Sequence, residues 1–345
     1  MSDQGPSRAV AAILAFALPP GVGQAYLGLS RRAVTWFVSF VLLGLAVPLA
    51  MPALGAALGY RTACLVYVVA VAARWIAPVV DVLALKQERF DRTKTPLLVG
   101  LAVGGVIAAL FANALPTRLL LLESFKVPGG SMIPTLLVGD RIFVDKLVYR
   151  TRAPRAGEVM VFAFPENHKQ EFIKRVVLMP GDTLEVKDGH PWINGWEVPH
   201  CKVGTFSYGD PDTPSLRHGG ELDVEFLGEQ AYLTLYDTAS GGLTDRGPFI
   251  AKPDEYWVMG DNRNNSHDSP TWFGGRGGGV PRDLVRGHAL SVWTGATDAG
   301  LDWSRAGQAI EGPTLPNGSE SLQGALDACM KARPPSSHTT PPPPT

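Results

Sequence analysis

Four long apolar runs fill the first part of the chain and constrain its fold more than any other feature. They are the segments 9–29, 33–58, 62–85 and 96–115. A membrane-spanning helix needs about 20 consecutive apolar residues, so the last three runs are each long enough to span. The first run is interrupted by Pro19-Pro20-Gly21, so it either crosses as a kinked helix or enters and leaves on one side. We expect a transmembrane helical bundle of three or four spans in residues 1–122.

The third run carries two charges, Arg74 and Asp81, which lie one heptad apart and so on a similar helix face. Charges at this depth usually face the interior of a helix bundle and pair. A proton or substrate path is the alternative, but nothing else in the apolar runs indicates transport. We therefore expect an internal ion pair between the two.

Basic residues in the connections predict the orientation, because cytoplasmic loops are rich in Lys and Arg. The connection after the third run contains four of them: Lys86, Arg89, Arg92 and Lys94. This connection is predicted to be cytoplasmic, so the fourth run carries the chain outward. Four spans put the N-terminus outside and three put it inside, but both put everything after Leu115 on the far side of the membrane.

From residue 123 onward the sequence changes to short apolar runs separated by turn residues, which is typical of β-strands. We predict a mainly β domain over 123–310, with an inserted β subdomain at about 201–251. The segment 311–345 is Pro/Ser/Thr-rich at its end and is expected to be a largely disordered tail with one short helix near 322–331. The predicted strands are 141–149, 158–164, 172–178, 182–187, 222–226, 232–235 and 284–294, and Asn194-Gly195 predicts a hairpin with a type I′ turn.

Charge and cysteine content exclude some functions. The chain has 31 basic and 32 acidic residues and a formal net charge of −1, so it has no electrostatic footprint for nucleic acid. No Cys or His spacing is typical of a zinc site, and we expect neither a metal nor an organic cofactor. Of the three cysteines, Cys201 and Cys329 either form a disulfide in an oxidising compartment or remain as free thiols.

Three motifs in the β-rich half carry the candidate chemistry. Ser-Met-Ile-Pro-Thr-Leu at 131–136 follows two glycines, which leave room for a substrate backbone. Lys-Arg-Val-Val-Leu-Met-Pro-Gly-Asp occupies 174–182, and Gly-Asp-Asn-Arg-Asn-Asn-Ser-His-Asp-Ser occupies 260–269. A serine in a proline-flanked turn means little alone, but three long motifs in this order are far more specific.

These motifs resemble those of the bacterial type I signal peptidases (leader peptidases), Ser–Lys serine proteases of family S26. The resemblance covers about residues 125–305. It implies a signal-peptidase-type β fold and a membrane-bound endopeptidase that cleaves signal peptides from exported preproteins at Ala-x-Ala junctions. It also implies a multi-pass protein of the bacterial inner membrane, with its catalytic domain on the periplasmic side. The expected partners are preprotein signal peptides and the lipid bilayer, with the export machinery as a further candidate.

A serine hydroxyl needs a base to become a nucleophile, and Lys174 is the candidate base for Ser131. An ordinary lysine has a pKa of about 10.4, but burial can lower it by about 3–5 units. A neutral amine could take the serine proton and return it to the leaving amine, as in known Ser–Lys variants of the catalytic triad. His267 occupies a variable position of the family pattern, so we do not assign it as the base.

Five further residues are expected to support this pair. The resemblance implies that Ser266 hydrogen-bonds the lysine and fixes its position. Arg175 is expected to pair with a carboxylate in a polar support that comprises Asp261, Arg263 and Asp268.

The oxyanion donors and the substrate pocket are predicted from motif position. The backbone N–H of Ser131 is one donor. In several family members a serine two residues before the nucleophile supplies another, but this chain has Gly129 there, so the side-chain donor is missing. The expected walls of the substrate pocket are Val127, Met132, Leu136, Phe172 and Ile173.

Two alternatives differ in function class. A self-cleaving Ser–Lys peptidase of the repressor type would be cytoplasmic, and the apolar runs argue against it. A catalytically inactive membrane scaffold or chaperone for secreted proteins is the other alternative, and the intact set of Ser131, Lys174 and Ser266 argues against it.

Overall fold

The computed structural model describes residues 6–58, 60–85, 95–109, 122–209, 216–236, 245–297, 300–335 and 342. The chain divides into two compact units, Met1–Leu122 and Glu123–Thr345. We call them the helical unit and the β-rich unit. The division falls where the apolar runs give way to short strand-forming runs.

The helical unit consists of apolar helices. They are α1 (Arg8–Ala17), α2 (Val22–Tyr26), α3 (Ser30–Leu58), α4 (Tyr60–Leu83) and α5 (Thr95–Ala109). Within α3 and α4, the segments Ser30–Val47 and Leu65–Leu83 are long and apolar enough to cross a membrane. The described residues therefore give two candidate spans where the sequence predicts three or four. Residues 110–115 of the fourth run lie outside the described part.

Asp81 pairs with a different arginine from the one expected. Its Oδ1 accepts a hydrogen bond from Arg32 Nη1 at 2.9 Å, and its Oδ2 accepts from Trp36 Nε1 at 2.9 Å. The Arg74 guanidinium instead lies over the ring of Phe40, 4.2 Å from its centre. The expected Arg74–Asp81 pair is therefore wrong, because the Asp81 carboxylate is paired with Arg32 at the start of α3.

Three antiparallel sheets form the β-rich unit among the described residues. The large sheet has the order β1-β2-β14-β3-β4-β12-β13, with β15 beside β14; the other two have the orders β10-β9-β8 and β11-β5-β6-β7. The strands are β1 (Leu122–Lys126), β2 (Arg141–Asp145), β3 (Val159–Phe164), β4 (Asn167–Leu178), β5 (Thr183–Lys187), β6 (His190–Ile193), β7 (Trp196–Glu197), β8 (His200–Gly209), β9 (Arg217–Leu227), β10 (Gln230–Tyr236), β11 (Arg246–Ile250), β12 (Glu255–Met259), β13 (Val280–Pro281), β14 (Val285–Thr297) and β15 (Gly300–Asp302).

The burial pattern of β4 positions the second motif. Residues 167–171 are exposed, whereas 174–178 are buried between β3 and β12. Strand β3 is buried along its whole length, as expected for an apolar central strand. Lys174 therefore lies at the point where β4 enters the core.

The hairpin predicted around Asn194-Gly195 is confirmed. Ile193 pairs with Trp196 across the turn, and both turn residues have positive φ, at 52° and 74°. A type I′ turn requires positive φ at both central residues, which asparagine and glycine tolerate best.

The strand predicted over 141–149 is too long. Strand β2 ends at Asp145, because the Asp145 Oδ1 accepts hydrogen bonds from the backbone N–H groups of Leu147 and Val148 at 2.7 and 3.1 Å. These bonds turn the chain into the short helix α6 (Val148–Thr151). An aspartate that captures nearby backbone donors competes with a strand in this way.

The described strands of the segment 201–251, predicted as an inserted subdomain, belong to two different sheets. Strands β8, β9 and β10 form one sheet, but β11 pairs with β5 in another. A short helix, α7 (Trp272–Gly275), follows the third motif. The segment after residue 311 also contributes to the fold, since helix α8 (Gln323–Lys331) buries Leu326 and Cys329 with Val203 and Leu222. Cys201 and Cys329 form a disulfide, which decides between the two alternatives for these cysteines. Residues 336–341 and 343–345 of the expected disordered tail lie outside the described part.

Candidate active site

The Ser131 loop is a short turn anchored by apolar side chains. Gly130–Met132 forms a single 3₁₀ turn, and the N–H of Leu136 donates to the carbonyl oxygen of Met132 at 2.9 Å. Met132 and Leu136 are completely buried. Their burial fixes the loop against the core and leaves Ser131 partly exposed at its tip.

Lys174 reaches Ser131 from β4. Its Nζ lies 2.5 Å from Ser131 Oγ and 3.2 Å from the carbonyl oxygen of Ile173. The lysine is only 4% exposed. Burial lowers the pKa of its amine to about 8, while the negative charges of Asp268 and Asp261 oppose that decrease. The amine is therefore much easier to deprotonate than an ordinary lysine, and it lies in contact with the hydroxyl.

One buried ion pair joins all three motifs. Arg175 holds Asp261 with two hydrogen bonds, Nε to Oδ1 at 2.8 Å and Nη2 to Oδ2 at 2.6 Å. Thr135, in the Ser131 loop, donates its hydroxyl to Asp261 Oδ2 at 2.5 Å. Arg175 and Asp261 are almost fully buried, so neither charge is accessible to water. Arg175 is thus paired with a carboxylate, as expected, and this pair connects the Ser131 loop to the third motif.

Arg263 pairs outside the predicted set. Its Nη1 and Nη2 donate to the two carboxylate oxygens of Glu225 at 2.6 and 2.7 Å, and its Nε donates to the carbonyl oxygen of Gly260 at 3.2 Å. Glu225 lies in β9 and is fully buried. The two arginines therefore have separate carboxylate partners. Glu225 escaped the sequence reasoning because no motif surrounds it, although a carboxylate inside an apolar strand was a signal.

Asp268 folds the third motif back on itself. Its Oδ2 accepts the backbone N–H of Gly260 at 3.0 Å, and burial raises the pKa of its carboxyl. A Cβ on Gly260 would collide with Ser266 Oγ and with the carbonyl oxygen of Ser131. Glycine at this position therefore allows the third motif to contact the Ser131 loop.

Ser266 does not make the expected bond to Lys174. Within the described part of the chain, its Oγ is buried and makes no hydrogen bond of standard geometry. Its hydroxyl nevertheless lies close enough to the Asp268 carboxyl to help lower that group's pKa. In this structure the Ser266 hydroxyl therefore interacts with Asp268 and makes no hydrogen bond to Lys174.

The arrangement of these motifs is matched by a known family. The profile of the family described as signal peptidase, peptidase S26, matches residues 100–294. The chain belongs to this signal peptidase family.

Named relatives agree with this membership. The chain is 33% identical over 221 residues to signal peptidase I of Pseudomonas aeruginosa, a match that covers 58% of the chain and 74% of the relative. It is 32% identical over 214 residues to signal peptidase I of Leptolyngbya laminosa, covering 60% and 83%. A crystal structure of a signal peptidase I from Enterococcus faecalis V583 has 21% identity and covers 39% of this chain and 95% of that one, and its TM-score of 0.22 is too low to support an argument.

In this signal peptidase, Asn262 holds the Ser131 loop and was missed by the sequence reasoning. Its Nδ2 donates to the carbonyl oxygen of Gly130 at 3.0 Å and to Tyr208 Oη at 2.8 Å. Tyr208 lies in β8, within the segment for which no role was predicted. The asparagine itself is part of the third motif, but its partner Tyr208 in β8 could not be recognised from that motif.

The expected pocket walls separate into two groups. Val127, Met132 and Leu136 are fully buried in one core cluster, with Ile173 packed against it. They are core residues and have almost no surface left for a substrate. Phe172 belongs to another cluster and lies with its ring centre 5.3 Å from Lys174 Nζ. Ile173 and Phe172 are therefore the two predicted wall residues with remaining exposure next to the lysine.

Space for a second oxyanion donor lies beside Gly129. Its backbone is extended, with φ −144° and ψ 165°, and a Cβ there would meet nothing within 4 Å. A side chain at this position would thus project into open space. The space would therefore admit a serine at this position, and the missing side-chain donor follows from the glycine itself.

Proposed function

We propose that this signal peptidase is a membrane-bound serine endopeptidase that uses Ser131 and Lys174 to remove signal peptides from exported preproteins. The observation that carries the proposal is the 2.5 Å contact between Lys174 Nζ and Ser131 Oγ, made by a buried amine. Such a contact lets proton transfer accompany nucleophilic attack.

Four proton transfers through one amine, two in acylation and two in deacylation, account for the reaction. Neutral Lys174 takes the hydroxyl proton of Ser131 while Oγ forms a bond to the scissile carbonyl carbon. The resulting ammonium gives that proton to the leaving amine as the peptide C–N bond breaks, which leaves an acyl ester on Ser131. The neutral amine then takes a proton from water, whose oxygen attacks the ester carbon. The ammonium returns the proton to Ser131 Oγ as the bond between Oγ and the acyl carbon breaks, which releases the carboxyl product.

The surrounding contacts favour this chemistry by keeping the loop rigid. Hydrogen bonds from Thr135 and Asn262 hold the Ser131 loop on both sides of the serine. Preorganised groups avoid reorganisation at the moment of reaction. The Ser131 N–H is the proposed backbone donor to the oxyanion.

The substrate and the location are part of the same proposal. The relatives are named signal peptidase I, and α3 and α4 supply two candidate spans. The basic connection 86–94 is proposed to be cytoplasmic, and the apolar run 96–115 after it is proposed to cross the membrane as a further span. The β-rich unit then lies on the outer side, where translocated preproteins emerge. Cleavage is proposed after small residues at Ala-x-Ala junctions, with the substrate added as an extended strand beside β4.

A preprotein assay with matched variants tests the proposal. Ser131→Ala and Lys174→Ala should each abolish cleavage of a preprotein with an Ala-x-Ala junction. Lys169→Ala is the control, because Lys169 is an exposed lysine in the same strand. Processing by either dyad variant at the wild-type rate, with the fold intact by circular dichroism, contradicts the proposed mechanism. Equal cleavage of a preprotein with bulky residues at both alanine positions contradicts the proposed specificity.

A further inference from the structure

Three side chains from two sheets converge outside the Ser131–Lys174 contact. His190 begins β6, His200 begins β8 and Asp223 lies in β9. One ring nitrogen of each histidine and one carboxylate oxygen of Asp223 lie within 4.8 Å of one another. We call these residues the His–His–Asp cluster.

The carboxylate of the cluster is buried and incompletely satisfied. Asp223 is 5% exposed, and its Oδ2 lies 3.0 Å from His200 Nδ1. Its Oδ1 is buried and has no hydrogen-bond partner among the described residues. A buried carboxylate oxygen without a donor is costly unless a cation satisfies it. This oxygen is therefore available to a positively charged ligand.

The hydrogen bonds of Tyr236 assign the tautomer of His190. Tyr236 Oη donates its one proton to Glu225 Oε1 at 2.6 Å and accepts from Arg263 Nη1 at 2.9 Å. His190 Nδ1, which lies 3.0 Å from the same Oη, must therefore carry the proton and donate it. The other nitrogen, Nε2, keeps its lone pair. A ring held through one N–H by a fixed acceptor is the usual arrangement of a metal-ligating histidine.

We propose that His190, His200 and Asp223 bind a divalent transition-metal ion, zinc in particular. Imidazole and carboxylate ligands suit zinc, at about 2.0–2.2 Å from each ligand atom. The two rings are stacked with centres 3.9 Å apart, so the partly exposed His200 ring must turn to bring its nitrogen into the coordination sphere.

A fourth ligand is available beside the cluster. Glu197 Oε1 lies 3.7 Å from His200 Nε2 on an exposed part of the surface. Either this carboxylate or water completes a tetrahedral site. The ion would connect β6 with the β8–β9 pair, and Tyr236 would link it to the Glu225–Arg263 pair.

Zinc titration of the full chain in detergent micelles, without a histidine tag and after chelator treatment, tests this site. Competition with a chromophoric chelator should give about one zinc per chain. Asp223→Asn and His200→Asn should each weaken binding by at least about tenfold. His168→Asn is the control, because His168 is an exposed histidine in β4 outside the cluster, and it should bind as the wild type does.

Thermal unfolding supplies a second readout that does not depend on peptidase activity. Zinc should raise the Tm of the wild type and of His168→Asn, because a ligand that binds only the folded state stabilises it. At the same zinc concentration it should raise the Tm of His200→Asn clearly less. Absence of stoichiometric zinc binding by the folded wild type, or unchanged affinity in folded His200→Asn, overturns the proposal.

Discussion

The backbone N–H of Asn262 lies 3.1 Å from the carbonyl oxygen of Ser131 and donates a hydrogen bond to it. The Asn262 side chain makes the equivalent contact one residue earlier, with Gly130, and also donates to Tyr208. The loop that carries the candidate nucleophile is thus held by the third motif, and the third motif is held by β8.

Tyr208→Phe should reduce kcat with little change in KM. The substitution removes one hydrogen-bond acceptor but keeps the ring, and a lost hydrogen bond of about 1 kcal/mol corresponds to roughly a fivefold decrease. Steady-state cleavage of a preprotein measures the effect. Tyr149→Phe is the control, since that hydroxyl bonds Glu158 at 3.1 Å and not the Ser131 loop. An equal loss in both variants would mean that the contact with Asn262 has no particular role.

The activity should depend on pH through Lys174. Only the neutral amine accepts a proton, so kcat/KM should rise as pH increases through the pKa of about 8 that burial gives this lysine. Cleavage rates between about pH 6 and about pH 10 measure this rising limb of the pH profile of kcat/KM. A limb near the ordinary lysine value of about 10.4 would show that the amine is not desolvated during catalysis.

Asp268→Asn should move that limb to lower pH. Burial lowers the pKa of Lys174, and the Asp268 charge opposes the decrease. Removing the charge therefore lowers the pKa further, while the amide oxygen can still accept the Gly260 N–H. The same pH profile measures the shift. An unchanged limb in a folded, active variant would show that Asp268 carries no charge near the amine.

Lys174→Met should be more stable than the wild type at neutral pH. The amine has a folded-state pKa of about 8 and a reference value of 10.5, a difference worth about 3 kcal/mol. Below pH 8 the wild type must keep a charged amine buried, and its stability rises between about pH 8 and about 10.5, where the unfolded state binds more protons. The advantage of the variant should shrink across this window. Thermal unfolding at several pH values measures it, and a constant difference would contradict the shifted pKa.

Reduction of the Cys201–Cys329 disulfide should lower the Tm of the full chain. The bond closes a sequence separation of 128 residues, and the loss of a native disulfide usually costs about 2–5 kcal/mol. Cys329→Ser should reproduce the effect of reductant, whereas Cys64→Ser should not. Equal Tm values with and without reductant would show that packing of α8 alone holds this region.

Local sequence patterns predicted much of this arrangement. The three ordered motifs predicted the pairing of Ser131 with Lys174, and the turn residues Asn194-Gly195 predicted a hairpin. These features depend on residues close in sequence or on a family pattern. Partners that depend on strand order were not predictable in this way.

Long-range pairing explains what the sequence reasoning missed. Arg263 pairs with Glu225 rather than with a carboxylate of its own motif. Glu225 lies in β9, and β9 and β10 approach the third motif from another sheet. The cluster of His190, His200 and Asp223 has no local spacing to recognise, since each residue comes from a different strand. Asp145 shortened a strand through hydrogen bonds that alternation alone does not reveal.

Gly260 sets the clearance between the two segments that meet at the candidate nucleophile. A methyl group there would overlap atoms of both Ser131 and Ser266, so the gap admits a hydrogen atom and nothing larger. Any larger residue at position 260 must move these segments apart. The hydrogen bond from the Asn262 N–H to the Ser131 carbonyl oxygen would then lengthen or break. Gly260→Ala is therefore expected to displace the backbone that carries Ser131.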